Sequence, residues 1–220
     1  MASKKKKKPD PAGLFAHDRA FECEWVAGAD EAGRGCLAGP IVAAAVLFDR
    51  RCLEDLGEGR LDDLNDSKKM TAKARERLYP VILEVAAKVC VVSRSSRHID
   101  AHGLHVTNID CLGRSLTGLD PVDAAVCLVD GFALPDCRVE HRKLVKGDSK
   151  SAAVAAASVI AKVTRDRYMA RAGAQMPGYG FESHKGYASA DHRDAIRELG
   201  PSPIHRMSFA SDAYEVRTHS

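Results

Sequence analysis

The sequence predicts an α/β protein built on one mixed sheet. Short apolar segments typical of strands alternate with amphipathic or alanine-rich segments typical of helices along the 220 residues. A chain of this length can bury the core of one large domain, and 45% hydrophobic with 29% charged residues is typical of a soluble globular protein. We find no internal repeat.

Four apolar segments are interpreted as strands. Residues 23–30 and 39–49 are separated by a glycine-rich link and are expected to pair as neighbours. Residues 89–95 have the composition of a strand. Residues 124–131 form a compact apolar run that ends in aspartate and glycine, as a buried strand would. Residues 50–70 are charged and irregular, and they are predicted to be a loop.

Two helical segments are predicted in the middle of the chain. From Thr71 onward, leucine, valine and isoleucine recur on one helical face. Pro80 lies within this segment, so it must kink the helix or mark a new start. Residues 98–116 carry an imperfect helical stripe of leucine and isoleucine.

The strongest helix signal covers residues 146–173. Asp148 or Ser149 can cap its start, small residues fill it, and Gly173 is expected to lie past its end. Near the C-terminus, residues 189–201 begin with a serine cap and end with a Gly-Pro stop signal, which predicts one more helix.

The N-terminus has a different composition from the rest of the chain. Lys4 to Lys8 form an unbroken basic run with no apolar neighbour, so residues 1–20 are predicted to be a disordered basic tail and residues 21–220 the folded domain. A membrane span is excluded because no run of 18 or more apolar residues exists. The basic start is not followed by the apolar region of a secretory signal.

Cysteine usage bears on the compartment. The chain has seven cysteines, an odd number, and no C-x-x-C pair. This pattern argues against a zinc ribbon and against a disulfide framework. Reduced thiols in a cytoplasmic protein fit best.

Acidic residues follow two of the predicted strands. Asp30, next to Glu31, ends the first strand, Asp130 ends the fourth, and Asp166 lies on the long helix. Ligand sites in open α/β sheets collect at the carboxyl ends of strands, so we expect these acids to converge. Crowded carboxylates repel one another unless a cation lies among them, and Mg²⁺ or Mn²⁺ is the natural candidate. Two such ions about 4 Å apart suit phosphodiester hydrolysis.

Each acid also has a simpler interpretation. Asp130 precedes a glycine and is typical of a turn, while Asp166 follows Lys162 by four residues and is typical of a helix-surface ion pair. Asp30 and Glu31 could be solvated turn residues. The recurrence of an acid at the end of two buried-looking strands favours the shared site.

Gly33, Arg34 and Gly35 come directly after the first two acids. Glycines let backbone N–H groups approach a phosphate closely, and the planar fork of arginine suits phosphate oxygens. A tight hairpin connection with an exposed arginine is the alternative, and the spacing leaves both open.

Five ordered motifs between Val26 and Phe209 resemble those of bacterial-type ribonuclease HII. They read GADEAGRGCLAGPIVAAAV, DSKKM, LVDG, KGDSKSAAVAAASVIAKVTRDRYM and YGFESHKGYASADHRDAIRELGPSPIHRMSF. The resemblance implies a ribonuclease-H-like fold, with a mixed five-stranded sheet flanked by helices and a helical C-terminal extension.

The same resemblance implies an activity. The protein is expected to cleave the RNA strand of RNA/DNA hybrids and to incise on the 5′ side of single ribonucleotides embedded in duplex DNA. Such incision initiates removal of misincorporated ribonucleotides and leaves 5′-phosphate and 3′-hydroxyl ends.

Residue roles follow from the motifs. The resemblance makes four residues catalytic acids, of which the first three bind metal: Asp30, Glu31, Asp130 and Asp166. It implies that Gly33, Arg34 and Gly35 sense the ribose 2′-hydroxyl, with Arg34 holding phosphate. It also implies that Tyr187 stacks at the RNA-to-DNA junction, although a half-buried structural tyrosine is the alternative.

Other residues in the motifs are less defined. Lys68 or Lys69 resembles a phosphate-contacting lysine, with a solvated surface lysine as the alternative for either. His184 and His205 are interpreted as structural histidines. The segment 53–65 is longer and more acidic than the family's link, DGFALPD is less polar than expected after the third acid, and the lysine run lies outside the pattern.

Two competing functions stay open at this point. A related nuclease that resolves branched DNA would use the same fold on another substrate. A non-catalytic nucleic-acid-binding protein would depend on the lysine tail and need no metal. We expect a monomer, because nothing resembles a dimer seam.

Overall fold

The computed structural model describes residues 11–55, 60–61, 63–122, 125–209 and 211–214. It contains a five-stranded sheet in the order β3-β2-β1-β4-β5. The strands are β1 (Trp25–Ala32), β2 (Ile41–Asp49), β3 (Lys88–Arg94), β4 (Val126–Asp130) and β5 (Arg142–Leu144). The helices are α1 (Pro11–Arg19), α2 (Arg50–Asp55), α3 (Ala72–Val85), α4 (Ser96–His102), α5 (Leu104–Gly118), α6 (Ala152–Gln175), α7 (Phe181–His184) and α8 (Ala190–Leu199).

The sheet is mixed, as predicted. β1 pairs antiparallel with β2, and β2 pairs antiparallel with β3, whereas β4 pairs parallel with both β1 and β5. Between β1 and β4 the register pairs Gly28 with Leu128 and Ala29 with Val129. The next positions along the two strands are Asp30 and Asp130. The pairing of the central strands therefore places two acids side by side at one end of the sheet.

The sheet buries a hydrophobic core on each face. α6, α3 and α1 cover the face that carries Val26, Val42 and Leu128. α4 and α5 cover the opposite face. α6 lies unusually close to β1, because a Cβ atom at Gly28 would be 2.2 Å from the backbone nitrogen of Val154. This close contact fixes the start of α6 over the strand that carries Asp30.

Residues 11–19 correct the predicted disordered tail. They form α1, and Phe15 is fully buried in the core. The carboxylate of Asp18 is also buried and accepts hydrogen bonds from Ser151 Oγ at 3.0 Å and from the backbone nitrogen of Ala153 at 2.9 Å. The apolar pair at 14–15 and this helix-capping acid supply the contacts that the sequence interpretation overlooked. Residues 1–10, with the lysine run, lie outside the described residues.

Helix α6 differs from the prediction at both of its ends. The caps proposed at residues 148 and 149 are wrong, because Ser151 caps α6 by accepting from the backbone nitrogen of Val154. Residues 147–149 form a separate 3₁₀ turn, which frees the Asp148 side chain for another role. Gly173 lies inside α6, where a Cβ atom would meet Glu182.

The remaining elements follow the sequence with smaller changes. α3 continues through Pro80, and the stripe at 98–116 divides into α4 and α5 at Gly103, whose φ is +82°. The predicted loop at 50–70 begins with α2. Ser189 caps α8 as predicted. Within the described part of the chain, no helix combines the length and apolar character needed to cross a membrane.

Candidate active site

Three carboxylates from separate parts of the chain meet at one edge of the sheet. Asp30 lies in β1, Asp130 ends β4, and Asp148 lies in the turn before α6. Each offers a carboxylate oxygen, and these oxygens lie within 4.8 Å of one another. The backbone nitrogen of Gly147 donates to Asp130 Oδ1 at 2.6 Å, which brings Asp148 to the strand ends. We call these three residues the acidic cluster.

Burial and mutual repulsion make the ionised acids costly here. Burial, followed by the charges of Glu31 and Asp130, raises the pKa of Asp30 well above its usual range. Burial, Asp66 and Asp130 raise the pKa of Asp148 to about 6. A bound divalent cation would reverse this effect by favouring the ionised form.

Glu31 lies beside the acidic cluster. Burial raises its pKa to about 7, the charge of Asp130 adds to that increase, and Arg34 and Lys68 oppose it. Its Oε2 atom is buried and has no hydrogen-bond partner among the described residues. A buried carboxylate oxygen without a partner fits a hard cation, because such ions take oxygen ligands.

The structure places Asp166 outside the acidic cluster. Its Oδ1 accepts a hydrogen bond from Lys162 Nζ at 2.7 Å, and its Oδ2 lies 3.8 Å from Arg75 Nη2. This corrects the expectation that Asp166 joins the other acids. The contact with Lys162 agrees with the alternative interpretation, a helix-surface ion pair. Asp148, and not Asp166, lies with Asp30 and Asp130. Asp148, the acid of the KGD sequence, could have been recognised as a further site residue, but it was interpreted as a helix cap.

The two candidate phosphate-binding lysines face different partners. Lys68 Nζ lies 3.8 Å from Asp148 Oδ2, whereas Lys69 Nζ lies 3.4 Å from Asp66 Oδ2. The Lys68 side chain is 76% exposed, so its ammonium borders both the acids and solvent. Lys68 is therefore the lysine that borders the acidic cluster.

Arg34 lies across the mouth of the site. Its Nε is 3.9 Å from Glu31 Oε1, and its guanidinium carbon is 4.8 Å from the ring centroid of Phe132. The Nε atom is buried without a hydrogen-bond partner among the described residues. An arginine that rests on a ring and still has a free donor is suited to bind a phosphate oxygen.

The two glycines beside Arg34 differ in their surroundings. Gly33 has a φ of +99°, and a Cβ atom there would lie 2.1 Å from Arg165 Nε. At Gly35, no other heavy atom lies within 4 Å of where a Cβ would be. Gly33 is therefore required by the fold, whereas the space at Gly35 is open for a ligand.

Two fully buried arginines support the loop that carries these residues. Arg165 donates to the carbonyl oxygens of residues 38, 40 and 185, each at 2.9 Å. Arg206 donates to those of residues 34, 39 and 40, at 2.9 to 3.1 Å. We call these two residues the arginine clamp. Sequence reasoning missed both, because most of their carbonyl partners are distant in the sequence.

Tyr187 lies next to the same loop. It forms an isolated β-bridge with Cys36, and 45% of the residue is exposed. Lys162 Nζ is 5.3 Å from the centroid of its ring. An accessible ring beside a cation suits stacking on a nucleotide sugar or base.

The histidines near Tyr187 are tied to the backbone. His192 Nδ1 donates to the carbonyl oxygen of Tyr187 at 2.9 Å, and His205 Nε2 donates to His192 Nε2 at 3.1 Å. The donor and acceptor roles follow because His205 Nδ1 accepts from the backbone nitrogen of Ser202. The proton of neutral His205 is therefore on Nε2. His184 Nδ1 accepts from the backbone nitrogen of Gly186. The contacts agree with a structural role for His184 and His205.

The fold and site together define a class of enzyme. Carboxylates at adjacent parallel strand ends, beside lysine and arginine, suit hydrolysis of a phosphodiester. The ribonuclease H2 from Pyrococcus horikoshii OT3 matches with a TM-score of 0.70 and 26% identity, over 86% of this chain and 95% of that chain. Bst-RNase HIII, solved in complex with Mn²⁺, shares the fold with a TM-score of 0.72 and 23% identity, over 96% and 74%. The molecule is a nuclease of the ribonuclease H class.

Sequence relatives define the family within that class. The family model described as Ribonuclease HII matches residues 27–212 of this chain. Ribonuclease HII of Sinorhizobium medicae is 48% identical over 203 residues, covering 90% of each chain. That of Rhodococcus erythropolis is 46% identical over 186 residues, covering 84% of this chain and 80% of its own. The chain belongs to the ribonuclease HII family and is an endoribonuclease that acts on RNA/DNA hybrids.

Proposed function

We propose that this ribonuclease incises duplex DNA on the 5′ side of a single embedded ribonucleotide, which starts removal of misincorporated ribonucleotides. The convergence of Asp30, Asp130 and Asp148 within 4.8 Å carries the catalytic part of this proposal. The open space at Gly35, next to a free donor of Arg34, supports recognition of the ribose.

The residues that would hold a divalent cation are the acidic cluster and Glu31. Their oxygens suit Mg²⁺ or Mn²⁺, and a single cation or a pair would offset the repulsion that raises the pKa values of Asp30 and Asp148. Asp148 joins the three metal ligands that the resemblance implied, Asp30, Glu31 and Asp130. The bound metal supplies an activated water and stabilises charge on the leaving oxygen.

The protein's own groups orient the scissile strand. Lys68 lies beside Asp148 and Arg34 lies beside Glu31, so both cations are positioned to bind oxygens of the scissile phosphodiester. Burial of Asp30 and Glu31 keeps bulk water away from the carboxylates. The reaction breaks the bond to the 3′ oxygen of the upstream residue, which leaves 3′-hydroxyl and 5′-phosphate ends.

Substrate selection falls to the loop after β1 and to Tyr187. Gly35 allows close approach of a minor groove, where the 2′-hydroxyl distinguishes RNA from DNA. Gly33 holds the turn that presents Arg34 and Gly35. Tyr187 stacks on the sugar next to the ribonucleotide and so selects the RNA-to-DNA junction.

Product mapping tests the proposed activity. A duplex with one ribonucleotide is incubated with Mg²⁺ or Mn²⁺ in turn, beside the same duplex made only of DNA and beside a branched DNA junction. We expect a single cut 5′ of the ribonucleotide, with ends that a polymerase can extend and no cut in the all-DNA duplex. Cleavage of the branched junction alone would contradict the proposal and favour a junction-resolving nuclease.

A metal titration tests the revised ligand set. Asp148→Asn removes one charge from the cluster, so we expect the Mn²⁺ midpoint, measured by calorimetry, to rise about tenfold or more. Asp194→Asn, an exposed acid that pairs with Arg197, is the matched control and should leave the midpoint unchanged. An unchanged midpoint in Asp148→Asn would remove that residue from the ligand set.

We further propose that the protein acts as a cytoplasmic monomer and that the run Lys4 to Lys8 adds non-specific affinity for nucleic acid. Light scattering on the full chain tests the first point, and a dimer would contradict it. Deleting residues 1–9 should reduce the salt dependence of binding, because fewer counterions are released. The same salt slope after deletion would exclude the role of the lysine run.

A further inference from the structure

We infer that Asp166 is a positioning residue that joins the Lys68 turn to Tyr187, so that both ends of the substrate site are held at a fixed separation. The inference rests on the proposed function, because it gives Lys68 and Tyr187 their substrate contacts. It assigns Asp166 a role distinct from that of the metal-binding acids.

Asp166 lies in a partly buried triad of charged side chains with Lys162 and Arg75. Asp166 contacts two cations from different elements, Lys162 on its own helix at 2.7 Å and Arg75 on α3 at 3.8 Å. The side chains are only 16%, 15% and 12% exposed for Asp166, Lys162 and Arg75. Pairs on an open surface contribute little, but partial burial reduces screening by solvent, so this triad restrains its members more strongly.

Arg75 connects the triad to the lysine turn. Its Nη1 donates to the carbonyl oxygens of Ser67 and Met70, both at 2.7 Å. These two carbonyls bracket Lys68, whose ammonium faces Asp148. Since Arg75 holds both ends of the turn, a shift of its guanidinium would move the Lys68 backbone relative to the acidic cluster.

Lys162 connects the triad to Tyr187. Its ammonium lies between Asp166 and the Tyr187 ring, 5.3 Å from the ring centroid. The carboxylate of Asp166 therefore fixes the cation against the ring face. Without that carboxylate, Lys162 would turn toward solvent, and the ring would lose a neighbour that limits its motion.

Charge balance gives the triad a further effect on binding. Arg75 and Lys162 would repel each other across this short distance if Asp166 were neutral. With Asp166 ionised, the triad keeps a net charge of +1 at the protein surface. A residual positive charge between Lys68 and Tyr187 suits the phosphate backbone that must pass between them.

Asp166→Asn tests the inference because asparagine keeps the shape and removes the charge. We expect KM for the one-ribonucleotide duplex to rise about five- to tenfold while kcat stays within about twofold. The reason is that the carboxylate supports substrate binding and takes no part in the chemical step. The Mn²⁺ midpoint should stay unchanged. Glu76→Gln is the matched control, because Glu76 pairs with exposed Arg167 on the same two helices and should leave KM unchanged.

A double variant separates positioning from a general loss of stability. In a Lys162→Met background, Asp166→Asn should raise KM by a smaller factor than in wild type, because the contact to Tyr187 is already lost and only the Arg75 contact remains to be removed. Thermal unfolding of each variant is measured in parallel. Equal effects of Asp166→Asn in both backgrounds, or an unchanged KM in the single variant, would overturn the inference.

Two further outcomes are informative. A fall in kcat of a hundredfold or more with a shifted Mn²⁺ midpoint would overturn the inference and place Asp166 among the metal-binding acids. If the wild-type enzyme does not cut the one-ribonucleotide duplex, the proposed function fails. The same KM comparison is then made on a long RNA/DNA hybrid. We still expect a higher KM for Asp166→Asn there, because Arg75 would no longer hold the turn that carries Lys68.

Discussion

The acidic cluster and the arginine clamp both bury charge, but they treat it in opposite ways. In the clamp, Arg165 and Arg206 direct their N–H groups at carbonyl oxygens of the neighbouring loop, so the donors have partners. At the cluster, Glu31 Oε2 is buried without a partner among the described residues, and neighbouring charges repel. A buried charge whose hydrogen bonds are all made holds a loop in place. A buried charge without partners is costly and is stabilised when a ligand of opposite charge binds.

The difference separates residues that build the site from residues that use it. Loss of a clamp residue should lower the free energy of unfolding and affect activity only through the loop. Loss of a cluster residue should abolish activity and leave the metal-free protein as stable or more stable.

The largest expected effect is on catalysis. Asp130→Asn should lower the cleavage rate by about a thousandfold or more, because it removes a charged ligand from the cluster. Asparagine can still accept the hydrogen bond from Gly147, so the turn should keep its position. Cleavage of the one-ribonucleotide duplex measures the rate, and a wild-type rate would contradict the role of Asp130.

The same variant has a second readout. The charge of Asp130 raises the pKa values of Asp30 and Glu31, so its removal relieves repulsion in the metal-free protein. With EDTA at pH 8, Asp130→Asn should unfold at an equal or higher urea concentration than wild type. A clear loss of stability would show that the cluster is held together like the clamp.

The next effect is on stability. Arg206→Met leaves the carbonyl oxygens of Arg34 and Gly39 without their side-chain donor in a buried site, and it leaves the carbonyl oxygen of Pro40 with Arg165 as its remaining donor. We expect a loss of about 3 to 5 kcal/mol in the free energy of unfolding. Arg193→Met is the control, because Arg193 donates to one carbonyl at an exposed position. Urea unfolding measures both, and equal losses would contradict the clamp.

A smaller, matched effect is expected at the two glycines. Gly33→Ala forces a side chain into a backbone region with φ of +99° and against Arg165, so it should cost about 2 kcal/mol. Gly35→Ala meets no atom within 4 Å and should stay within about 0.5 kcal/mol of wild type. Its activity should nevertheless fall if substrate occupies that space. Unchanged activity in Gly35→Ala would remove the glycine from the substrate site.

The smallest effect is on pH dependence. Burial lowers the pKa values of His192 and His205 to about 4. Because the unfolded values are higher, near about 6.5, the unfolded state binds more protons between these values. The contribution of the pair is complete above about pH 6.5 and is lost as the pH falls toward 4.

A variant comparison isolates this contribution from the acids, whose raised pKa values act with the opposite sign. The difference in unfolding free energy between wild type and His205→Gln should increase from pH 4.5 to 7. Arg193→Gln is the control and should give a flat difference, because arginine does not titrate in this pH range. A flat difference for His205→Gln as well would exclude the histidine pair as the source.

Local pattern was sufficient for four of the five strands and for half of the site. Asp30 and Asp130 were predicted together because each follows an apolar run, and parallel strands end at the same edge. The Ser189 cap was predicted because capping is set by a few neighbouring residues. The resemblance to ribonuclease HII supplied the strand count, since β5 has only three residues.

The misassigned acids show where local pattern is insufficient. Asp166 lies 14 residues after Ala152, so helix geometry places it about 21 Å along the axis from the start of α6, too far to share a pocket with that start. Asp148 resembled a cap because the 3₁₀ turn and the helix cannot be told apart from composition. The clamp was missed because its carbonyl partners are distant in sequence and leave no pattern.

The hydrogen bonds from Ser151 and Ala153 to Asp18 set a limit on how the N-terminus can be trimmed. A truncation that keeps α1 removes only the basic segment, whereas one that begins at residue 21 strips the first turn of α6 of its buried acceptor. Loss of cleavage after the longer deletion would therefore report damage near Asp148, and it would be misinterpreted as evidence that the lysines engage the substrate.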